Sequence, residues 1–306
     1  MAERKAIERL DEAVDAILAG QRPPALEAEE AVLALIAAGL RDLPDPKFRS
    51  TLRNKLVPPK QSIVPYFVVD GADEFIAFMS EAFGAELRTR YTRPDGTVMH
   101  AEVGIGDSAV ELGNASPQYP PMKLGIHLYV DDVDAVYEKA ARAGAKTLHP
   151  IMDQPYGDRE VSLEDAFGNH WYVATHLATG SKPPGFRSIT PFLHPRGADR
   201  QIEFLVRAFD AKVLDRTESP DGTVMHATVQ VGNSMVEMGE AHGPWRPMPS
   251  NLHFFVDDPD RVYERAMAAG ATSIFPVTNQ PYGERSGGVI DPFGNNWFMA
   301  APLLKA

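Results

Sequence analysis

The eight residues Pro94-Asp95-Gly96-Thr97-Val98-Met99-His100-Ala101 occur again, unchanged, as Pro220 to Ala227. Working outward from this octapeptide, the same offset holds without a gap from Ile63–Ala174 to Ile189–Ala300. Glu111 falls on Glu237, His127 on His253, and Val130-Asp131-Asp132 on Val256-Asp257-Asp258. Gln154-Pro155-Tyr156-Gly157 falls on Gln280 to Gly283, Arg159 on Arg285, and Phe167-Gly168-Asn169 with Trp171 on Phe293-Gly294-Asn295 with Trp297. Chance does not produce an ungapped match of this length, so the chain contains an internal duplication.

Each copy reads in the same order. An apolar strand, Ile63 to Val69, precedes a helix carrying Phe75, Ile76, Phe78 and Met79. Arg93-Pro94-Asp95-Gly96 is turn chemistry. Strands are expected at Val98–Ile105, Ala109–Leu112 and Ile126–Val130. A second helix runs from Asp132 to Gly144, a natural C′ residue. Strands near Thr147–Pro150, Glu160–Glu164 and His170–Ala174 close the unit. The pattern is a pair of βαβββ modules, present twice, and the fold class is α+β. The expected boundaries are 61–178 and 187–304.

Residues 1–60 read as an N-terminal all-helical segment. Ile7, Leu10, Val14, Ile17 and Leu18 share one face, Arg22-Pro23-Pro24 interrupts it, and apolar runs resume at Val32 and Phe48. An arm of this length buries little surface alone, so it packs on the repeats or recruits a protein partner.

Bulk properties narrow the function classes. The chain has 306 residues and a net charge of −12, which disfavours a nucleic-acid binder. With no cysteine it has no disulfide, thiolate nucleophile or Cys-based zinc site, and it fits a cytoplasmic location. No apolar run approaches the length of a membrane span. There is no glycine-rich phosphate loop, no Gly-x-Ser-x-Gly elbow and no zinc-protease motif.

Several motifs together carry a family resemblance: Pro65-Tyr66, Phe83-Gly84-Ala85, Val130-Asp131-Asp132-Val133-Asp134, Ala143-Gly144-Ala145, Tyr156-Gly157-Asp158-Arg159 and Phe167-Gly168-Asn169-His170-Trp171. The ordered set, found twice, resembles the vicinal-oxygen-chelate superfamily of glyoxalases, bleomycin-resistance proteins and dioxygenases, in particular the phosphonate-operon B-like branch. The resemblance implies tandem domains whose modules pair around a cavity. It also implies a divalent metal (zinc, nickel, manganese or iron) held by His and Glu from four strands. Carried over position by position, the carboxylate ligand is kept as Glu111 and Glu237. The first-strand position falls near Val64 and Thr190. The last-strand position falls on Tyr172 and Phe298. The fifth-strand position falls near Gly125 and Asn251, with His127 and His253 two residues on and therefore on the same strand face. The ligand set is incomplete in each copy. Glu111, His127, Glu237 and His253 stand as the candidate metal ligands, and Glu111 and Glu237 as the candidate catalytic carboxylates.

By strand parity, Tyr66, Glu111, His127, Tyr129 and Tyr172 line one cavity, and Phe192, Glu237, His253, Phe255 and Phe298 the other. This grouping assumes that modules close within a repeat, where Glu111 meets His127. If they exchange, Glu111 meets His253; the sequence does not choose. The leading functional expectation is a small-molecule-binding protein without a complete metal site. The alternatives are a metal-dependent glyoxalase-type lyase or isomerase or a dioxygenase, and a scaffold or regulator acting through the arm.

Overall fold

The computed structural model describes residues 61–243 and 245–303, and in the arm Glu12, Ala13, Asp15, Ala16 and Gln21. The helical reading of residues 1–60 and its partner role otherwise lie outside the described residues. Gln61–Ala306 forms one compact unit.

Repeat one runs β1 (Ile63–Val69), α1 (Ala72–Phe83), β2 (Glu86–Thr92), β3 (Val98–Ile105), β4 (Ser108–Asn114), β5 (Gly125–Tyr129), α2 (Val133–Arg142), β6 (Lys146–Asp153), β7 (Asp158–Glu164) and β8 (His170–His176). Repeat two follows with β9 (Ile189–Leu193), α3 (Ala198–Phe209), β10 (Lys212–Glu218), β11 (Val224–Val231), β12 (Ser234–Met238), β13 (Asn251–Phe255), α4 (Pro259–Ala268), β14 (Thr272–Asn279), β15 (Glu284–Ile290) and β16 (Asn296–Pro302). The one element missing from the sequence reading is β2, with its counterpart β10. Both are exposed along nearly their whole length and carry the polar sequences ELRTRYT and KVLDRTE, so no apolar alternation marks them.

The strands form two eight-stranded sheets, in the orders β14-β15-β16-β13-β1-β4-β3-β2 and β10-β11-β12-β9-β5-β8-β7-β6. Each sheet joins four strands of one repeat to four of the other. The joints are antiparallel: β1 lies on β13, with Val64 opposite His253, and β5 lies on β9, with His127 opposite Thr190. Modules therefore exchange partners between repeats. Side-chain bonds reinforce the exchange, with Ser234 Oγ accepting from Ile63 N and Ser108 Oγ from Ile189 N, both at 3.0 Å.

The cores behind the sheets do not exchange. One is built from repeat one, with Phe67, Phe75, Met79, Leu112, Ile126, Leu128, Leu163 and Trp171, joined by Ile189. The other mirrors it with Phe204, Leu205, Val229, Leu252, Phe254 and Trp297, joined by Ile63. Alternation on each strand explains the division: on β5, Ile126 and Leu128 enter the core while Gly125, His127 and Tyr129 face away from the helices. The helices present matching apolar stripes. Gly71, at φ 90°, starts α1, and Asp132 caps α2 by accepting from Ala135 N.

The repeated Asp-x-Phe-Gly-Asn turn is an anchor for the tryptophan. Asp165 accepts from Phe167 N, Asn169 N, Asn169 Nδ2 and Trp171 Nε1, at 2.8 to 2.9 Å. Trp171 is wholly buried, so its one polar atom needs this partner. Asp291 does the same for Trp297 Nε1 at 3.0 Å. Arg159 on β7 and its match Arg285 on β15 bind outward: Arg159 forks onto Asp134, and Arg285 onto Asp260. Among the described residues no helix is long and apolar enough to cross a membrane.

Candidate functional site

The helix-free face of each sheet carries one carboxylate–imidazole pair, assembled across the exchanged joint. His127 Nδ1 lies 2.8 Å from Glu237 Oε2, and His253 Nδ1 lies 2.7 Å from Glu111 Oε2. Parity and register produce this contact. Glu237 is level with Phe192 on β9, and Glu111 with Tyr66 on β1. The next strand in each sheet comes from the other repeat and brings the histidine.

The grouping of lining residues within a repeat is therefore corrected. Glu237 and Phe192 share a site with His127, Tyr129 and Tyr172. Glu111 and Tyr66 share the other with His253, Phe255 and Phe298. The reason is the β5·β9 and β1·β13 pairing, which sets each module beside its counterpart from the opposite repeat.

The two sites differ in closure and charge. In the His127 site, the histidine and Glu237 side chains are 6% and 3% exposed; in the other, His253 and Glu111 are 15% and 6% exposed. Tyr129 stacks on His127 at 4.2 Å, and Phe255 takes the same place against His253 at 4.2 Å. Burial disfavours a charge on His127, but Glu237 and then Glu160 more than offset it, and the imidazole is pushed up to about 9. Burial likewise disfavours the charge on Glu237, yet the imidazoles of His127 and His226 hold it below the usual carboxylate range. The pair is an imidazolium–carboxylate with Nδ1 donating.

A second ring of groups completes the His127 site. His226 Nε2 lies 3.3 Å from Glu237 Oε1, so this histidine faces the site. Glu160 Oε2 lies 3.7 Å from His127 Nε2, and Tyr156 Oη donates to the same oxygen at 3.3 Å. Tyr129 Oη donates to Asp158, whose other oxygen meets His176 Nδ1 at 2.6 Å. At the opposite end Tyr172 Oη meets His194 Nε2 at 2.7 Å. Burial pushes His194 down to about 4, so it is neutral and accepts the tyrosine proton. The Trp245 ring covers this end, centred 5.7 Å from Tyr172, 6.0 Å from His194 and 5.0 Å from His149.

In the His253 site, Tyr66 Oη approaches His100 Nδ1 at 3.5 Å, and burial with the Glu111 charge pushes the Tyr66 phenol up. Glu284 Oε2 lies 4.0 Å from His253 Nε2. Phe298 packs beside Phe275 at 6.2 Å. Ser286 stands where the other site has Glu160, and Tyr282 reaches it at 3.3 Å.

Sequence reasoning had not singled out Glu160, Asp158, His194, Trp245 or Glu284. A signal existed for three of them. Asp158, Glu160, Ser162 and Glu164 alternate with Val161 and Leu163 along β7, and Glu284 occupies the equivalent strand β15. An expected buried strand with one polar face marks a lined site. His194 and Trp245 gave no such signal, because Val68 and Tyr119 replace them in repeat one.

The family profile of the Glyoxalase/Bleomycin resistance protein/Dioxygenase superfamily matches residues 62–173 and 195–299. The chain belongs to this superfamily. An uncharacterised protein of Mycobacterium bovis is 38% identical over 121 residues, covering 36% of this chain and 80% of that protein. Glyoxalase I from Zea mays superposes on 78% of this chain and 92% of its own, with a TM-score of 0.62 and 17% identity. A Bacillus subtilis protein described as a putative dioxygenase superposes on 79% of this chain and 86% of its own, with a TM-score of 0.53 and 12% identity. At these identities the structural likeness is one of fold.

The superfamily's metal can be tested against these residues. Among the described residues, no group of three or more His, Asp or Glu side chains is arranged to hold an ion. The glutamate and histidine of each site are spent on each other through Nδ1. The first- and last-strand positions hold Val64 and Phe298 in one site, and Thr190 and Tyr172 in the other. Aliphatic and phenyl groups supply no donor, and threonine and tyrosine hydroxyls are weak ligands for such ions. The donor set does not fit the metal.

Proposed function

We propose that this superfamily member binds small molecules on the helix-free faces of its two composite sheets, without a metal. The observation that carries this reading is the direct hydrogen bond between carboxylate and imidazole in both sites, at 2.7 and 2.8 Å. A carboxylate bonded to imidazolium serves to orient and charge the ring, which then presents Nε2 to a ligand. In this reading Glu111 and Glu237 position His253 and His127 rather than ligate an ion. Tyr66, Phe192, Phe255, Phe298, Tyr129 and Tyr172 supply aromatic walls.

Metal analysis of the purified protein, together with calorimetric screening of small aromatic compounds, tests the proposal. Substoichiometric metal and ligand binding that weakens in Glu111→Gln and Glu237→Gln are expected. Stoichiometric metal that is lost in either variant would instead support a metal-dependent lyase, isomerase or dioxygenase. Pull-downs with and without residues 1–60 test whether the arm recruits a protein, and cell fractionation tests a cytoplasmic location.

A further inference from the structure

Within the His127 site one polar atom has no hydrogen-bond partner. His127 is 5% exposed, and its Nε2 is buried without a bond, one of three such side-chain atoms among the described residues. The nearest carboxylate oxygen, on Glu160, lies 3.7 Å away, beyond hydrogen-bond reach. An unmet buried donor costs free energy that a ligand acceptor recovers. Glu160 stands beside it on β7 with its side chain 12% exposed, and among the described residues the Tyr156 hydroxyl is the one hydrogen-bond donor to its carboxylate. The site thus offers one N–H donor and one carboxylate acceptor side by side.

We infer that the His127 site recognises the neutral edge of a primary carboxamide or lactam on an aromatic body, its C=O accepting from His127 Nε2 and its N–H donating to Glu160. This deepens the ligand-binding reading and rests on it. In an amide the oxygen and nitrogen lie about 2.2 Å apart from standard bond lengths, so two slightly splayed hydrogen bonds span the gap. The competing chemistries meet a mismatch. A carboxylate ligand sets an anion against Glu160 and Glu237. An ammonium ligand sets a cation against the His127 N–H. Of these three chemistries, the amide, with an acceptor and a donor on one carbon, is the one that satisfies both partners.

Tyr156 lies in the turn at Gln154–Gly157 that leads into β7. Tyr156 is 61% exposed, and its hydroxyl makes a single long bond to Glu160, so lifting it sacrifices little. In the His253 site Ser286 takes the Glu160 position, and the carboxylate nearest His253 Nε2 comes instead from Glu284, farther off at 4.0 Å and at a different position on the strand. The recognition is therefore assigned to one site of the two.

The test uses the full chain with 15N-labelled histidine, titrated with benzamide, N,N-dimethylbenzamide, benzoate and benzylammonium. Benzamide is expected to shift the His127 Nε2 resonance and to bind about 10-fold more tightly than the other three, as one hydrogen bond is worth. Glu160→Ser, which copies the other repeat and so preserves a tolerated side chain, is expected to remove that advantage. Glu160→Gln, whose Oε1 still accepts, is expected to restore most of it. Benzoate or benzylammonium binding at His127 more tightly than benzamide overturns the amide assignment and leaves the ligand-binding reading standing. If none of the four moves the His127 resonance, both fail for this site.

Discussion

A carboxylate–imidazole pair differs in worth with its depth. Removing one partner of a buried ion pair strands the other, at a cost of about 3 to 5 kcal/mol. Glu237→Ala strands His127, whose side chain is 6% exposed; Glu111→Ala strands His253, which at 15% keeps more contact with water. Urea denaturation is expected to show the larger loss for Glu237→Ala, with Glu111→Ala losing about half as much. The histidines also set a pH profile. His127 titrates near 9 when folded against 6.5 when unfolded. Its stabilisation is complete below pH 6.5 and is lost as pH rises through 9. His194 titrates near 4 when folded against the same 6.5. Its neutral form is favoured, so its stabilisation is complete above pH 6.5 and is lost as pH falls toward 4. The melting temperature is expected to peak near pH 6.5. His194→Phe should flatten the acid limb and His127→Phe the alkaline one. A curve unchanged in both variants would refute the assignment.

Among the elements, the turns before β8 and β16 have a clear energetic role. Asp165 gathers four donors, and Asp291 serves the same turn while also accepting from Gln201 Nε2 at 3.0 Å. Asp165→Ala leaves Trp171 Nε1 and Asn169 Nδ2 unsatisfied in the buried core and is expected to cost about 3 kcal/mol or more. Asp165→Asn keeps an acceptor and should cost less; thermal melts of the two variants give the comparison. These turns were legible from the repeated Asp-x-Phe-Gly-Asn and Trp residues, because a local motif carries its own hydrogen bonds. The edge strands β2 and β10 were not, because an exposed strand is held by backbone bonds to β3 and β11, which leave no apolar pattern.

Across the whole molecule, cores stay within repeats while sheets cross between them. Neither repeat alone can assemble the Glu237–His127 or the Glu111–His253 pair, since each takes its two members from different repeats. Protease cleavage in the exposed stretch between His176 and Ser188 is therefore expected to leave the two fragments associated, through β1·β13 and β5·β9. Size-exclusion chromatography of the nicked protein reads this directly: co-elution is expected, and separation without denaturant would contradict the exchanged architecture. The same architecture explains why the two sites are unequal. Each takes its carboxylate from one repeat and its histidine from the other, so drift in either repeat alters both.

The duplication, the βαβββ order, the buried tryptophans and the inward parity of Glu111, His127, Glu237 and His253 were all present in the sequence, since periodicity and local turn chemistry act over a few residues. Which glutamate meets which histidine was not. Either pairing buries the same alternating faces and satisfies the same local propensities. The choice lies in contacts between residues more than a hundred positions apart, His127 with Glu237 and Glu111 with His253, and only the folded chain makes them.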